Sequence, residues 1–106
     1  MIHHICLLEA KPTVAGEKLE TLMVETRIRL LKIPEVNNLR VGKRIDVATN
    51  PHTFFFSFDC DNMDKLASMQ DSAIFTQFQK QILDAYTISY MMINYEMEPG
   101  KDIKYS

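Results

Sequence analysis

Four short apolar runs and two stretches of helical periodicity, in a fixed order, restrict this chain to very few folds. The first run, Ile2-His3-His4-Ile5-Cys6-Leu7-Leu8, has strand length and no helical period, and Lys11-Pro12-Thr13 breaks it. From Val14 to about Lys32, Leu19, Leu22, Met23, Leu30 and Leu31 recur at helical spacing, with Glu17, Glu20, Glu25 and Arg29 among them. That spacing predicts an amphipathic helix of about five turns, ended by Pro34. Val36 to Asp46 alternates through Leu39, Val41 and Ile45 and reads as a strand. Ala48-Thr49-Asn50-Pro51 supplies turn chemistry, and His52 to Phe58 is a second strand rich in β-formers. Asp61 is placed to cap a helix that begins near Asn62. Leu66, Met69, Ile74, Phe78, Ile82 and Ala85 carry its period to about Tyr86, with a restart at Asp71-Ser72. Ile88 to Met97 is the last strand, and Glu98-Pro99-Gly100 opens a polar tail over about residues 98–106.

The order β-α-β-β-α-β is that of an α+β, ferredoxin-like domain, in which two helices cover one face of a four-stranded antiparallel sheet. One such domain is expected over residues 1–106. For a mass of 12.3 kDa, about 6,100 Å² should stay exposed of about 17,800 Å² in the unfolded chain, enough burial for a single modest core. The strands are apolar on both faces. Phe54, Phe56 and Phe58 oppose Phe55, Cys6 and Leu8 oppose Ile5 and Leu7, and Tyr90 and Met92 oppose Met91, Ile93 and Tyr95. Two helices shield one face only, so the other is expected to pair with a second copy, forming a homodimer through the sheet face.

Several function classes drop out. The 12 basic and 14 acidic residues give a net charge of −2, with no general attraction for nucleic acid or anionic lipid. The third-strand phenylalanines invite comparison with RNA-recognition modules, but the Lys/Arg-Gly start of that motif and the basic footprint are both missing. Asp59, Asp61 and Asp64 fail the calcium-loop pattern at Met63 and Asp64, and the three histidines have no zinc-like spacing with Cys6 or Cys60. Scattered glycines exclude a nucleotide loop. No metal and no cofactor is expected. No apolar run approaches the about 18 residues of a membrane helix, and the start MIHHICLL lacks a signal peptide's basic region. With two cysteines, that points to reduced thiols in a cytoplasm.

Four segments, in order, resemble the stress-responsive dimeric α/β-barrel (Dabb) family over about residues 2–97. They are the opening His4-Ile5-Cys6-Leu7-Leu8-Glu9-Ala10-Lys11-Pro12, then Ile33-Pro34-Glu35-Val36 with Val41-Gly42-Lys43, then Met69 to Phe78, and finally Ile93-Asn94-Tyr95-Glu96. The resemblance implies a ferredoxin-like monomer whose sheet joins its twin's in a β-barrel. The family holds mostly proteins without assigned activity, beside a plant polyketide cyclase that needs no cofactor. A cyclase-type site resembles a first-strand histidine, here His4, a tyrosine, here Met69, and the second histidine of an HPxH stretch, here Phe75. Ser72 and Ala73 replace the first His-Pro pair. Neither Met nor Phe transfers a proton, so the cyclase's general base is missing.

The expected function is to bind a small, largely apolar molecule between sheet and helices. The pocket candidates are His4, Cys6, Met69, Phe75, Phe78, Tyr86 and Tyr90. The alternative is a cofactor-independent enzyme, cyclase-like or monooxygenase-like, with a non-standard acid/base site drawn from His4, Tyr86 and Tyr90. His3, by strand alternation, points to the opposite face from His4.

Overall fold

The computed structural model describes residues 1–98, 100 and 101, so most of the expected polar tail lies outside the described residues. Strand β1 (Ile2–Ala10) alternates as its sequence requires. His4, Cys6, Leu8 and Ala10 are buried, while His3, Ile5, Leu7 and Glu9 are only partly covered. Helix α1 (Glu17–Leu30) starts three residues later than the pattern from Val14 suggests. The Val14 amide is already taken by the Lys11 carbonyl in a turn, and Gly16 enters the helix at φ 54, a conformation a side chain would oppose. Its buried stripe is Leu19, Leu22, Met23, Thr26 and Leu30; the Thr26 hydroxyl is satisfied by donating to the Leu22 carbonyl at 2.8 Å.

Strand β2 (Asn37–Lys43) is shorter than Val36 to Asp46, because Asn38 at φ 52 marks a bulge and the pairing ends at Lys43. Ile45, expected on the strand, is 91% exposed in the connection that follows. Strand β3 (Phe54–Cys60) begins two residues after His52 and sends Phe54, Phe56 and Phe58 into the core, with Phe55 on the other face. A Cβ at Gly42 would stand 2.6 Å from the Phe55 ring, so the glycine makes room for it.

The cap of helix α2 (Met63–Gln70) is Asn62 and not Asp61: Asn62 has extended backbone, and its side-chain oxygen accepts the Lys65 amide at 2.9 Å. The restart expected at Asp71-Ser72 is present. Ser72 Oγ accepts the Phe75 amide at 3.2 Å at the head of helix α3 (Ala73–Phe78), and it donates to the Met69 carbonyl. A π-helical turn (Gln79–Leu83) and a last helical turn, α4 (Asp84–Tyr86), lead into β4 (Thr87–Glu96). The extra residue of the π turn shifts the helical phase. Leu83 therefore joins Ile82 in the core, and Ala85, which the uninterrupted period would bury, is exposed. Among the methionines, Met23 and Met69 are buried, whereas Met63 and Met91 stand about half exposed.

All strand pairs are antiparallel, in the order β2-β3-β1-β4, with the helices on one face. This is the α+β ferredoxin-like architecture. Its slab of 41 × 36 × 20 Å leaves the other sheet face uncovered, where Ile5, Leu7, Phe55, Met91, Ile93 and Tyr95 lie. No helix among the described residues is long and apolar enough to cross a membrane.

Candidate functional site

Strand β1 is central, so each of its core-facing residues has a neighbour on both sides. His4 stands between Phe58 of β3 and Asn94 of β4, Cys6 between Phe56 and Met92, and Leu8 between Phe54 and Tyr90. The His4 side chain is 0% exposed. Its Nδ1 lies 2.6 Å from Asn94 Oδ1. A carbonyl oxygen only accepts, so Nδ1 carries the proton and Nε2 is left as a bare lone pair. Nε2 is buried and has no hydrogen-bond partner among the described residues. Burial lowers the imidazole pKa below 6.5, the Asn94 hydrogen bond opposes this, and the charge of His3 adds to the lowering. At neutral pH, His4 is an uncharged ring with a fixed tautomer and an unused acceptor.

The surroundings of that acceptor are apolar. The Phe58 ring centre is 4.9 Å from that of His4, Phe56 follows at 6.2 Å, Phe78 meets Phe56 edge-on at 5.7 Å, and Phe75 meets Phe78 at 5.8 Å. Cys6 and Met69 complete the layer, fully buried. Burial pushes the Cys6 thiol up to about 12, so it stays protonated and behaves as a small hydrophobe.

Five of the seven pocket candidates, His4, Cys6, Met69, Phe75 and Phe78, therefore share one core. The two tyrosines pack against the margin of that core and are only partly buried. Tyr90 pairs with the position of Leu8, four residues or about 13 Å along the strand from His4, and its hydroxyl accepts from Gln79 at 2.8 Å. Tyr86 sits at the far end of β1, where its carbonyl accepts the Lys11 amide and its ring carries the Lys18 ammonium at 4.3 Å. Neither hydroxyl is hydrogen-bonded to His4 among the described residues. Asn94 is the residue that motif reading missed: it is exposed, polar and 90 positions from His4, and only the β1–β4 register brings the two together.

The open clefts lie elsewhere, one of about 730 Å³ beside the start of α1 and Lys43, another of about 650 Å³ on the outer sheet face. On that face His3 pairs with Asp59 at 2.8 Å, so one of the three aspartates flagged for metal is already engaged. Among the described residues, no three metal-ligating side chains converge.

No family model and no curated protein matches the sequence. Solved structures do match in shape. A Dabb family protein with a ferredoxin-like fold from Mesorhizobium loti superposes with a TM-score of 0.81 over 92% of this chain and 96% of that one, at 15% identity. The chain has the fold of the Dabb proteins. A dimeric ferredoxin-like protein of unknown function from Thermobifida fusca gives a TM-score of 0.78 at 21% identity, covering 91% of this chain and 90% of its own. An antibiotic biosynthesis monooxygenase gives 0.70 at 16% identity, covering 93% of this chain and all of its own. The Dabb fold thus serves proteins of quite different description, and what this chain does has to be argued from its own residues.

Proposed function

We propose that this chain forms a homodimer through its open sheet face and binds a small, largely apolar molecule carrying one hydroxyl between sheet and helices, with His4 Nε2 accepting the hydroxyl proton in a hydrogen bond. The observation that carries the reading is the bare, fully buried Nε2. A buried polar atom left unpaired costs about 1–3 kcal/mol, so an apolar core that keeps one is served by a ligand that pairs it. The layer is closed by its own side chains, and the exposed Asn94 on the edge strand marks the side from which a ligand would reach His4. The dimer rests on the half-covered strip of Ile5, Leu7 and Ile93 with the exposed Met91 and Tyr95. About 800 Å² per partner on that face would make an ordinary interface. A cytoplasmic, reducing setting suits two free, buried thiols, Cys6 and Cys60.

Titration with 1-octanol, followed in the histidine ¹⁵N spectrum, tests the site. Saturable movement of the His4 Nε2 resonance supports it, and an unmoved resonance at saturating alcohol refutes it. Sedimentation tests the pairing: wild type should run as a dimer at about micromolar concentration, within the ordinary range of stable interfaces, and Ile5→Asp as a monomer. A monomeric wild type removes the sheet-face dimer. The enzymatic alternative, proton abstraction from an acidic C–H or O–H bond, uses the same neutral Nε2 as base and is favoured by the fixed tautomer alone.

A further inference from the structure

Helix α1 carries a second apolar stripe, on the side turned away from the sheet. Val24, Ile28 and Leu31 recur at helical spacing, so their side chains adjoin on one face. Val24 and Ile28 are about half exposed and Leu31 is 67% exposed, although its spacing in the sequence groups Leu31 with the buried leucines. Leu30 takes the core place instead, fully buried, and its neighbour is turned outward. Cations rim the stripe. From Val24 to Lys32 the chain has Arg27, Arg29 and Lys32 against the single carboxylate of Glu25, in a protein whose net charge is −2. Arg29 pairs with Glu25 at 3.3 Å, and Arg27 reaches only the Val41 carbonyl, at 3.4 Å. The Lys32 ammonium has no salt-bridge partner among the described residues. Cations in its last turn suit the dipole of α1, but the dipole gives no reason to hold three large apolar side chains in water beside them. On one flank the stripe opens into a groove of about 310 Å³ between α1 and α3, with Ile28 on one wall and the half-buried Ile74 on the other.

We propose that this face docks an acidic amphipathic helix of another protein. The apolar side of that helix covers Val24, Ile28 and Leu31 and lodges one large side chain in the groove beside Ile74. Its carboxylates meet Arg27 and Lys32. At a rise of about 1.5 Å per residue the stripe is about 10 Å long, so about two to three turns of a partner cover it. Glu17 and Glu20, on the same face nearer the start of α1, repel an acidic partner and set the end of the site. A groove beside the stripe receives a protruding side chain, which a flat lipid surface does not offer. The face lies on the helix layer, so pairing of the sheets leaves it open, and it rests on neither His4 nor the dimer.

The probe is a capped peptide of about 16 residues, long enough to reach helical form, with leucine at every third or fourth position and glutamate and alanine at the rest. It is titrated into ¹⁵N-labelled protein in its native assembly state, at low salt and near neutral pH. Wild type should show saturable shifts of α1 and α3 amides, half complete at about 1 mM or below. Ile28→Ser and Leu31→Ser alter exposed side chains, so their urea melts should match wild type, yet each should weaken binding by about fivefold or more. Lys32→Glu should weaken it by about threefold or more, and added salt should erase that difference. Ile45→Ser removes an exposed apolar side chain from the β2–β3 connection and should bind as wild type does. The same peptide with lysine in place of glutamate should bind at least about tenfold more weakly. The proposal is overturned if the glutamate peptide does not saturate by about 5 mM, or if the shifts fall outside α1 and α3. Equal binding of the two peptides overturns it, as does binding by Ile28→Ser and Leu31→Ser that matches wild type. Attachment to phosphatidylserine vesicles without binding of the peptide overturns it too, and makes the face a lipid contact.

Discussion

Replacing Asn94 by alanine tests whether the His4 arrangement is held as described. The substitution removes the one acceptor of the His4 Nδ1 proton among the described residues, a hydrogen bond of 2.6 Å to a side chain that is 0% exposed. A buried donor left without a partner costs about 1–3 kcal/mol. Asn94 itself is exposed, so water can partly take its place, and the expected loss sits at the lower end, about 1 kcal/mol. In a domain of this size that lowers Tm by about 4–8 °C. Urea melts at neutral pH measure it, and His4→Phe supplies the second arm of a double-mutant cycle. In the His4→Phe background no Nδ1 proton remains, so Asn94→Ala should become nearly neutral, with a coupling of about 1 kcal/mol between the sites. The ¹⁵N spectrum adds a readout that packing alone would not move: without Asn94 the ring is free to carry its proton on Nε2. Equal losses in the two backgrounds, with an unchanged tautomer, would refute the reasoning and reduce the 2.6 Å contact to proximity.

Three further outcomes are expected. Because burial depresses the folded-state pKa of His4, the unfolded chain takes up its proton first; stability is fully present above the unfolded value of 6.5 and falls as pH drops below it, by at most about 1.4 kcal/mol per pH unit. His4→Leu should flatten the curve in that window, while the lowered carboxyls of Asp59 and Glu20 act only below their ordinary values of 3.8 and 4.5; an unchanged slope in urea melts across pH 5–7 (roughly the range in which an ordinary histidine titrates) contradicts the assignment. Ser72→Ala removes the acceptor of the Phe75 amide and should cost about 1 kcal/mol in denaturant melts, with a loss within error showing that the cap carries no weight. Incubated with a linear tetraketide thioester, the protein should yield no ring-closed acid above the spontaneous background, since Met69 and Phe75 leave His4 without a second proton-transfer group; product that vanishes in His4→Ala would reverse this.

What a sequence of this kind shows depends on how far apart the deciding residues are. Periodicity is local, so the order of strands and helices, the inward set Phe54, Phe56 and Phe58, and the Ser72 cap could all be read from neighbouring residues. Where two local readings competed, packing chose between them. Asn62 took the cap because its backbone, not that of Asp61, is the extended residue before the helix, and the π turn exchanged Ala85 for Leu83 in the core by inserting one residue into the helical count.

The candidate site is different in kind. His4 stood out by its residue type, but as a histidine without a partner, because the partner is supplied by a strand 90 positions away and carries no charge to attract notice. His3 and Asp59, 56 positions apart, were likewise separate observations, one read only as pointing away from His4 and the other as part of a failed calcium-loop pattern. Strand pairing joins both pairs. Register depends on the whole apolar pattern of both strands and on the bulges that interrupt it, so no window of sequence contains it. Composition and periodicity therefore determined the order of strands and helices and which residues of each strand share a face. Only the pairing of β1 with β3 and β4 decided which polar atom meets each histidine, and hence which ring nitrogen of His4 is left without a partner.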